Sequence, residues 1–309
     1  MKPQFQHTLV TSFYLWFDNH LQKRGEAYKN KTGIFYNMSD DRLDDTYNVY
    51  SSPYKQFVVD SGLNTSVVDS QGTAGPIVID RISGTREDGT TTFEITRGTS
   101  GLKIDYENGR VFFTGDAAGN LPGNGLSISG GFAVKDFNLY MTNQTEEDLV
   151  IENKFKTNDR FGNLEVSGVV PYDQVLPAAF VTSESIQNEP MAFGGLDVTQ
   201  TNVKVVVMTT DLYCLDCVLS LAADSRHRSF AQVDFEDFPI TEFGDIKTAT
   251  YPTGYSYNQI EIDNTSEMFH IEDVNVSKLS DRIKKKVNPN IFVGFIDFEI
   301  HKYRSPRVE

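Results

Sequence analysis

The chain reads as an α+β protein: an N-terminal amphipathic helix and arm, a central, mainly antiparallel β-sandwich or barrel-like domain, and a C-terminal α+β module. Three observations predict this. Residues 101–113 alternate apolar and polar on both sides of Asn108-Gly109, and period-two burial around Asn-Gly marks a hairpin. Short alternating runs separated by Gly-rich turns fill residues 57–160, as in sandwiches and barrels. The last third instead mixes a continuous β-branched run, Val203–Met208, with helical spacing at Leu212–Ala223. The expected divisions are 1–56 for helix and arm, 57–165 for the β domain and 166–309 for the α+β module.

Residues 6–24 place Leu9, Phe13, Trp16, Phe17, His20 and Leu21 on one helical face, and Gly25 follows as a stop. Residues 30–56 are rich in Tyr, Asp and Asn, with acidic Ser39–Asp45 at their centre. They are expected to form an extended arm whose aromatics, Tyr47, Tyr50 and Tyr54 among them, pack on a neighbour. In the β region, Ile77–Ile79 and Phe93–Ile95 are expected strand cores, followed by the 101–113 hairpin, a loop at 115–125, a strand region at Ser127–Met141 and another strand at Leu149–Phe155. Asn108-Gly109 is expected to be a type I′ turn, in which both residues take positive φ.

Further on, Val203–Met208 is expected as a buried strand and Leu212–Ala223 as a helix. Phe230–Phe235 and Tyr257–Ile262 are expected as strands, and Ser277–Lys286 as a short helix capped by Ser277. Lys284, Lys285 and Lys286 would then suit the negative end of its dipole. Ile291–Ile300 forms the last expected strand.

The 309 residues carry a formal charge of −15. That excess argues against a general nucleic-acid binder and against anionic membrane surfaces, because both need clustered Lys and Arg. No apolar run approaches the roughly 20 residues of a membrane span, so the chain is expected to stay soluble in a cytoplasm. With 22 Phe and 14 Tyr, aromatic rings must supply much of the core.

Chemistry-bearing motifs are few. Cys214-Leu-Asp-Cys217 are the only two cysteines. A structural zinc needs four ligands and no second pair exists, so the two are expected to be buried reduced thiols of an apolar helix. The Gly-rich stretch 115–131 lacks the Gly-Lys-Ser/Thr of a phosphate loop and is read as β-turns. The five His are scattered, and carboxylates are too abundant for any pair to stand out. No catalytic residue, cofactor or metal is expected.

Three segments carry a family resemblance: Phe13-Tyr-Leu-Trp-Phe-Asp-Asn-His-Leu-Gln-Lys-Arg-Gly-Glu-Ala-Tyr28, Gly101-Leu-Lys-Ile-Asp-Tyr-Glu-Asn-Gly-Arg-Val111 and Leu212-Tyr-Cys-Leu-Asp-Cys-Val-Leu-Ser220. They resemble segments of virion structural proteins of tailed bacteriophages, those of the neck or head–tail junction. The resemblance implies a non-enzymatic subunit of the virion, assembled in the host cytoplasm as a homo-oligomeric ring. It would touch portal, connector and tail components, bind no membrane, and let DNA pass without specific binding. Expected assembly contacts are Asn108, Gly109 and Arg110 of the hairpin, Tyr47, Tyr50 and Tyr54 of the arm, and Lys284, Lys285 and Lys286 against an acidic neighbour. Acidic residues such as Asp40, Asp41, Asp44, Asp45 and Asp116 are expected at the lumen. Two other readings stay open: a receptor- or carbohydrate-binding β module of a tail fibre or baseplate, and a hydrolase with an unrecognised carboxylate site.

Overall fold

The computed structural model describes residues 5–38, 47–68, 72, 74–86, 89–97, 102–114, 127–151, 156–157, 175–192, 196–252, 254–265, 267–280 and 290–304. Helix α1 (Phe5–Arg24) leads into β1 (Tyr28–Met38), β2 (Tyr47–Ser51), β3 (Arg81–Thr85), β4 (Thr92–Thr96), β5 (Lys103–Asp105), β6 (Arg110–Thr114) and β7 (Ser127–Lys135). These seven strands form one sheet in the order β4-β3-β7-β1-β2-β6-β5, and every neighbouring pair is antiparallel.

The chain then crosses to a second sheet. Its elements are β8 (Asn138–Met141), α2 (Glu146–Ile151), β9 (Lys156–Thr157), β10 (Val175–Leu176), β11 (Ala178–Ala192), β12 (Leu196–Thr209), α3 (Leu212–Ala223), β13 (Ser229–Ala231), α4 (Tyr257–Asp263), β14 (Met268–Lys278) and β15 (Phe292–Arg304). Six of the strands run β13-β14-β15-β12-β11-β8. All pair antiparallel except β8 with β11, and β9 and β10 make a separate short parallel pair. The protein is thus a mixed α and β structure built on two curled sheets and a few helices.

One apolar cluster runs through both sheets and α1. In the first sheet Phe57 and Phe132 lie 4.6 Å apart, and Tyr50 stacks on Phe113 at 5.6 Å. In the second, Phe13 of α1 meets Phe298 edge-on at 4.9 Å, and Trp16 stacks on Phe230 at 5.4 Å. Offset and edge-on ring pairs of this kind add to simple area burial.

The N-terminal helix forms as expected but is not amphipathic in effect. It packs against β8, β11, β13, α3 and α4, and its polar residues Ser12, Asp18, Asn19, His20 and Gln22 are buried along with Phe13. Buried polar groups need partners. Lys135 Nζ donates to Asp18 at 2.9 Å, Asn19 Nδ2 donates to Asp60 at 2.9 Å, and the Val233 N–H donates to Ser12 Oγ at 2.9 Å. The helix is therefore a central pillar.

Several expectations change. The arm expected at 30–56 supplies β1 and β2 inside the first sheet, with Phe35 and Tyr50 fully buried; these two rings serve the protein's own core, while Tyr36 is exposed. The Ile77–Ile79 run lies just outside the ladder that begins at Arg81. Asn108-Gly109 is not a two-residue turn, because Asp105 pairs with Arg110 and leaves a four-residue connection, Tyr106–Gly109. The Asp105 carboxylate captures the Asn108 N–H at 2.9 Å and its Nδ2 at 2.8 Å, an Asx-type closure, and of the expected pair only Gly109 has positive φ, at 65°.

Residues 146–151 are helical, so the strand expected at Leu149–Phe155 does not form at 149–151, and its remainder, 152–155, lies outside the described residues. Thr145 and Asp148 exchange side-chain to backbone bonds of 3.2 and 3.3 Å, a reciprocal cap that starts the helix. Residues 257–263 are also helical: Tyr257 and Ile260 turn to the core at i, i+3 spacing, and the Tyr257 N–H donates to Asp60 at 3.3 Å. Ser277 lies within β14, where Val274 and Val276 pair with Phe298 and Ile296. Phe235 begins a 3-10 turn beyond β13. The expected loop at 115–125 lies outside the described residues.

Candidate functional site

Where the two sheets meet, the chain passes from β7 to β8 through Asp136 and Phe137, and a cleft of about 230 Å³ opens beside this joint. Tyr14 from α1, Tyr140 from β8 and Phe238 from the loop after β13 form its aromatic walls. The Tyr14 and Phe238 rings are 6.2 Å apart and tilted by 53°. Glu107 from the β5–β6 connection and Glu242 from the 238–246 loop flank it, both exposed.

The floor is set by Gln56. Its backbone N–H donates to the Glu107 carbonyl at 3.0 Å, and its own carbonyl accepts from the Lys135 N–H at 3.0 Å. Its side-chain amide binds the backbone of Leu139 twice: Nε2 donates to the carbonyl at 2.9 Å, and Oε1 accepts from the N–H at 2.7 Å. The amide thus stands in for a neighbouring strand along the edge of β8. Gln56 holds a φ of 51°, a left-handed conformation that an L residue keeps only where its surroundings over-determine it.

The charges in the cleft do not balance. Lys135 is neutralised by Asp18, whose Oδ1 lies 2.8 Å from its Nζ. Among the described residues, neither Glu107 nor Glu242 has a side-chain hydrogen bond or ion pair. Burial pushes the Tyr14 hydroxyl well above its ordinary pKa, and the carboxylates of Asp18 and Glu107 add to this. Tyr140 is raised by burial, then by Glu107, against the pull of the Val175 N–H. Both phenols therefore stay neutral. Tyr14 donates to the Leu139 carbonyl at 3.3 Å, whereas Tyr140 accepts from the Val175 N–H at 3.2 Å and keeps its own proton for a ligand. The cleft offers aromatic walls, one free hydroxyl proton and two uncompensated carboxylates.

Comparison of the chain with protein-family models, curated proteins and solved structures yields no match. The site is read from its own geometry. Among the described residues no His, Cys, Asp and Glu side chains group to hold a metal, and no helix is long and apolar enough to cross a membrane.

The structure scatters the expected contact residues. Gly109 and Arg110 are buried and Asn108 half-buried, so the hairpin tip points into the molecule, where the Gly109 carbonyl accepts from the Ser52 N–H at 2.9 Å. Tyr50 is buried in the core, while Tyr47 and Tyr54 are half-buried; Lys31 sits over the Tyr54 ring at 5.7 Å. Lys284, Lys285, Lys286, Asp40, Asp41, Asp44, Asp45 and Asp116 lie outside the described residues. The cysteines are a correction: Cys214 is half-buried and Cys217 exposed, both as free thiols. The buried stripe of α3 is Leu215, Val218, Leu219 and Ala222, and the two cysteines fall beside it. Burial and the neighbouring Asp211 raise the Cys214 thiol, the reverse of a redox-active pair.

Sequence reasoning missed Gln56, Glu107, Glu242 and the cleft tyrosines. No local pattern marks them, because they come from five separated segments joined only by the meeting of the sheets.

Proposed function

We propose that the protein is a non-enzymatic assembly subunit of a virion, one copy of a ring at the neck or head–tail junction of a tailed phage. The observation that carries the assembly reading is the open edge of β14. Strand β13 covers only Met268–His270, and among the described residues Asp273–Lys278 have a partner strand on the β15 side alone. Unpaired N–H and C=O groups along such an edge are a template for a strand from another chain.

The outer edge of β11, by contrast, is blunted by Pro190 and by irregularities at Ser183/Ile186 and Pro190/Ala192, which are devices against pairing. The β14 edge has no proline, and Val276 is 41% exposed beside a groove against α3. The phage assignment rests on the resemblance of residues 13–28, 101–111 and 212–220. In this reading the sheets form a sandwich-like body, portal or connector and tail proteins are its neighbours, and the acidic excess keeps passing DNA from adhering.

Sedimentation velocity with negative-stain microscopy tests the reading. The expected result is a closed ring that Val276→Lys breaks while leaving circular dichroism and melting unchanged. A protein that stays monomeric at every concentration overturns it.

A further inference from the structure

We infer that the cleft between the sheets is a socket for a lysine or arginine side chain presented by the neighbouring copy in the ring. This rests on the assembly reading for its partner, though not for its chemistry.

Size comes first. A cavity of about 150 Å³ holds one benzene ring, so about 230 Å³ accepts one long side chain but no folded element. The walls come next. Tyr14, Tyr140 and Phe238 present ring faces and edges, which suit the aliphatic stem of Lys or Arg and attract its cationic head. Among the described residues lining the cleft, the one cation, Lys135, is already matched by Asp18, which leaves Glu107 and Glu242 as a net negative pair. An incoming anion would meet repulsion; an incoming cation gains both carboxylates. Met141, 47% exposed, adds apolar surface at the rim.

Charge complementarity selects the partner. In a chain of net charge −15, Arg282-Ile-Lys-Lys-Lys286 is the densest basic run. In sequence it follows the β14 edge directly, so a neighbour docking through that edge brings the run with it. A ring needs two different faces on each subunit, one complementary to the other. The socket supplies the acidic face and the run after β14 the basic one.

Sedimentation of full-length protein is the test, at low and high salt. Glu107→Gln/Glu242→Gln removes the socket charge at two exposed positions and should weaken assembly at least about tenfold at low salt, with melting unchanged. Glu107→Lys/Glu242→Lys alone and Lys284→Glu/Lys285→Glu/Lys286→Glu alone should each fail to assemble, and their mixture should form rings again. If wild type forms rings and the double Gln variant does so equally well, the socket is wrong and the assembly reading stands. If wild type is monomeric, the assembly reading fails, and titration with a synthetic 280–288 peptide decides the socket. Binding that is lost in the Gln variant upholds it; no binding, or binding equal in both, overturns it.

Discussion

Gly109 and Gly89 share almost the same backbone conformation, with φ of 65° and 68°, but not the same surroundings. A Cβ at Gly89 meets nothing within 4 Å. At Gly109 it runs into the carbonyl oxygen of Tyr54, with the carbonyl carbon and Ser52 Oγ each 3.0 Å away. Replacing either by alanine places an L residue in the left-handed region, at a cost of about 1–2 kcal/mol. Gly89→Ala should stop there. Gly109→Ala must also push residues 52–54 off the hairpin. The Ser52 N–H bond to the Gly109 carbonyl at 2.9 Å and the Gln56 N–H bond to the Glu107 carbonyl at 3.0 Å would then weaken, at about 1 kcal/mol each. The expected loss is about 3–4 kcal/mol. Urea unfolding followed by far-UV circular dichroism and by fluorescence of Trp16, the sole tryptophan, measures both variants. If Gly109→Ala falls within about 1 kcal/mol of Gly89→Ala, the packing argument is refuted.

Three further outcomes follow from buried groups and thiols. Burial raises the Asp105 carboxyl to about 6, against bonds from Asn108 and the charge of Arg110 that pull it down. A raised folded-state value means its stabilising contribution is full below pH 3.8 and is lost as pH rises to about 6; two units correspond to about 3 kcal/mol. Asp105→Asn should flatten that part of the pH–stability curve, and an unchanged slope in urea midpoints between pH 4 and 7 would contradict it. Lys135→Met strands the buried Asp18 charge and should cost about 3–5 kcal/mol, much of it recovered by adding Asp18→Leu; calorimetry of the two variants reads this directly. Replacing Cys214 and Cys217 by alanine should cost under about 1 kcal/mol, because neither is fully buried. In the wild type Cys217 should react with a thiol reagent much faster than Cys214, and equal rates would show α3 rotated from its described face.

Local patterns were legible where burial follows one period. The helix at 212–223, the strand through 203–208 and the last strand at 291–300 show a clean helical or apolar pattern; the helix and the last strand form within a few residues of their expected bounds, and the strand through 203–208 extends back to Leu196. The errors arise where a distant group overrides the local signal. The Asp60 carboxylate, far away in sequence, stands at the start of α4 and helps turn an aromatic, strand-like stretch into a helix. Asp105 reshapes the turn at Asn108-Gly109. Helix α1 hid its polar burial, because nothing in residues 5–24 says that Lys135 and Asp60 will come to meet Asp18 and Asn19. The cleft was invisible for the same reason: its members acquire meaning only when the sheets are brought together.

Gln56 also makes the joint between the sheets a mechanical coupling. Its main chain is bonded to the β5–β6 connection and to the end of β7, while its side-chain amide grips β8. Any hinge opening between the sheets must therefore rupture the bonds of this residue to one sheet or the other. Glutamate would lack the donor, methionine both polar ends, and asparagine the reach. A load applied to one sheet is passed to the other in part through this amide, alongside the apolar cluster and α1 that both sheets share. Force spectroscopy on a Gln56→Met variant would register that as two separate yielding events in place of one.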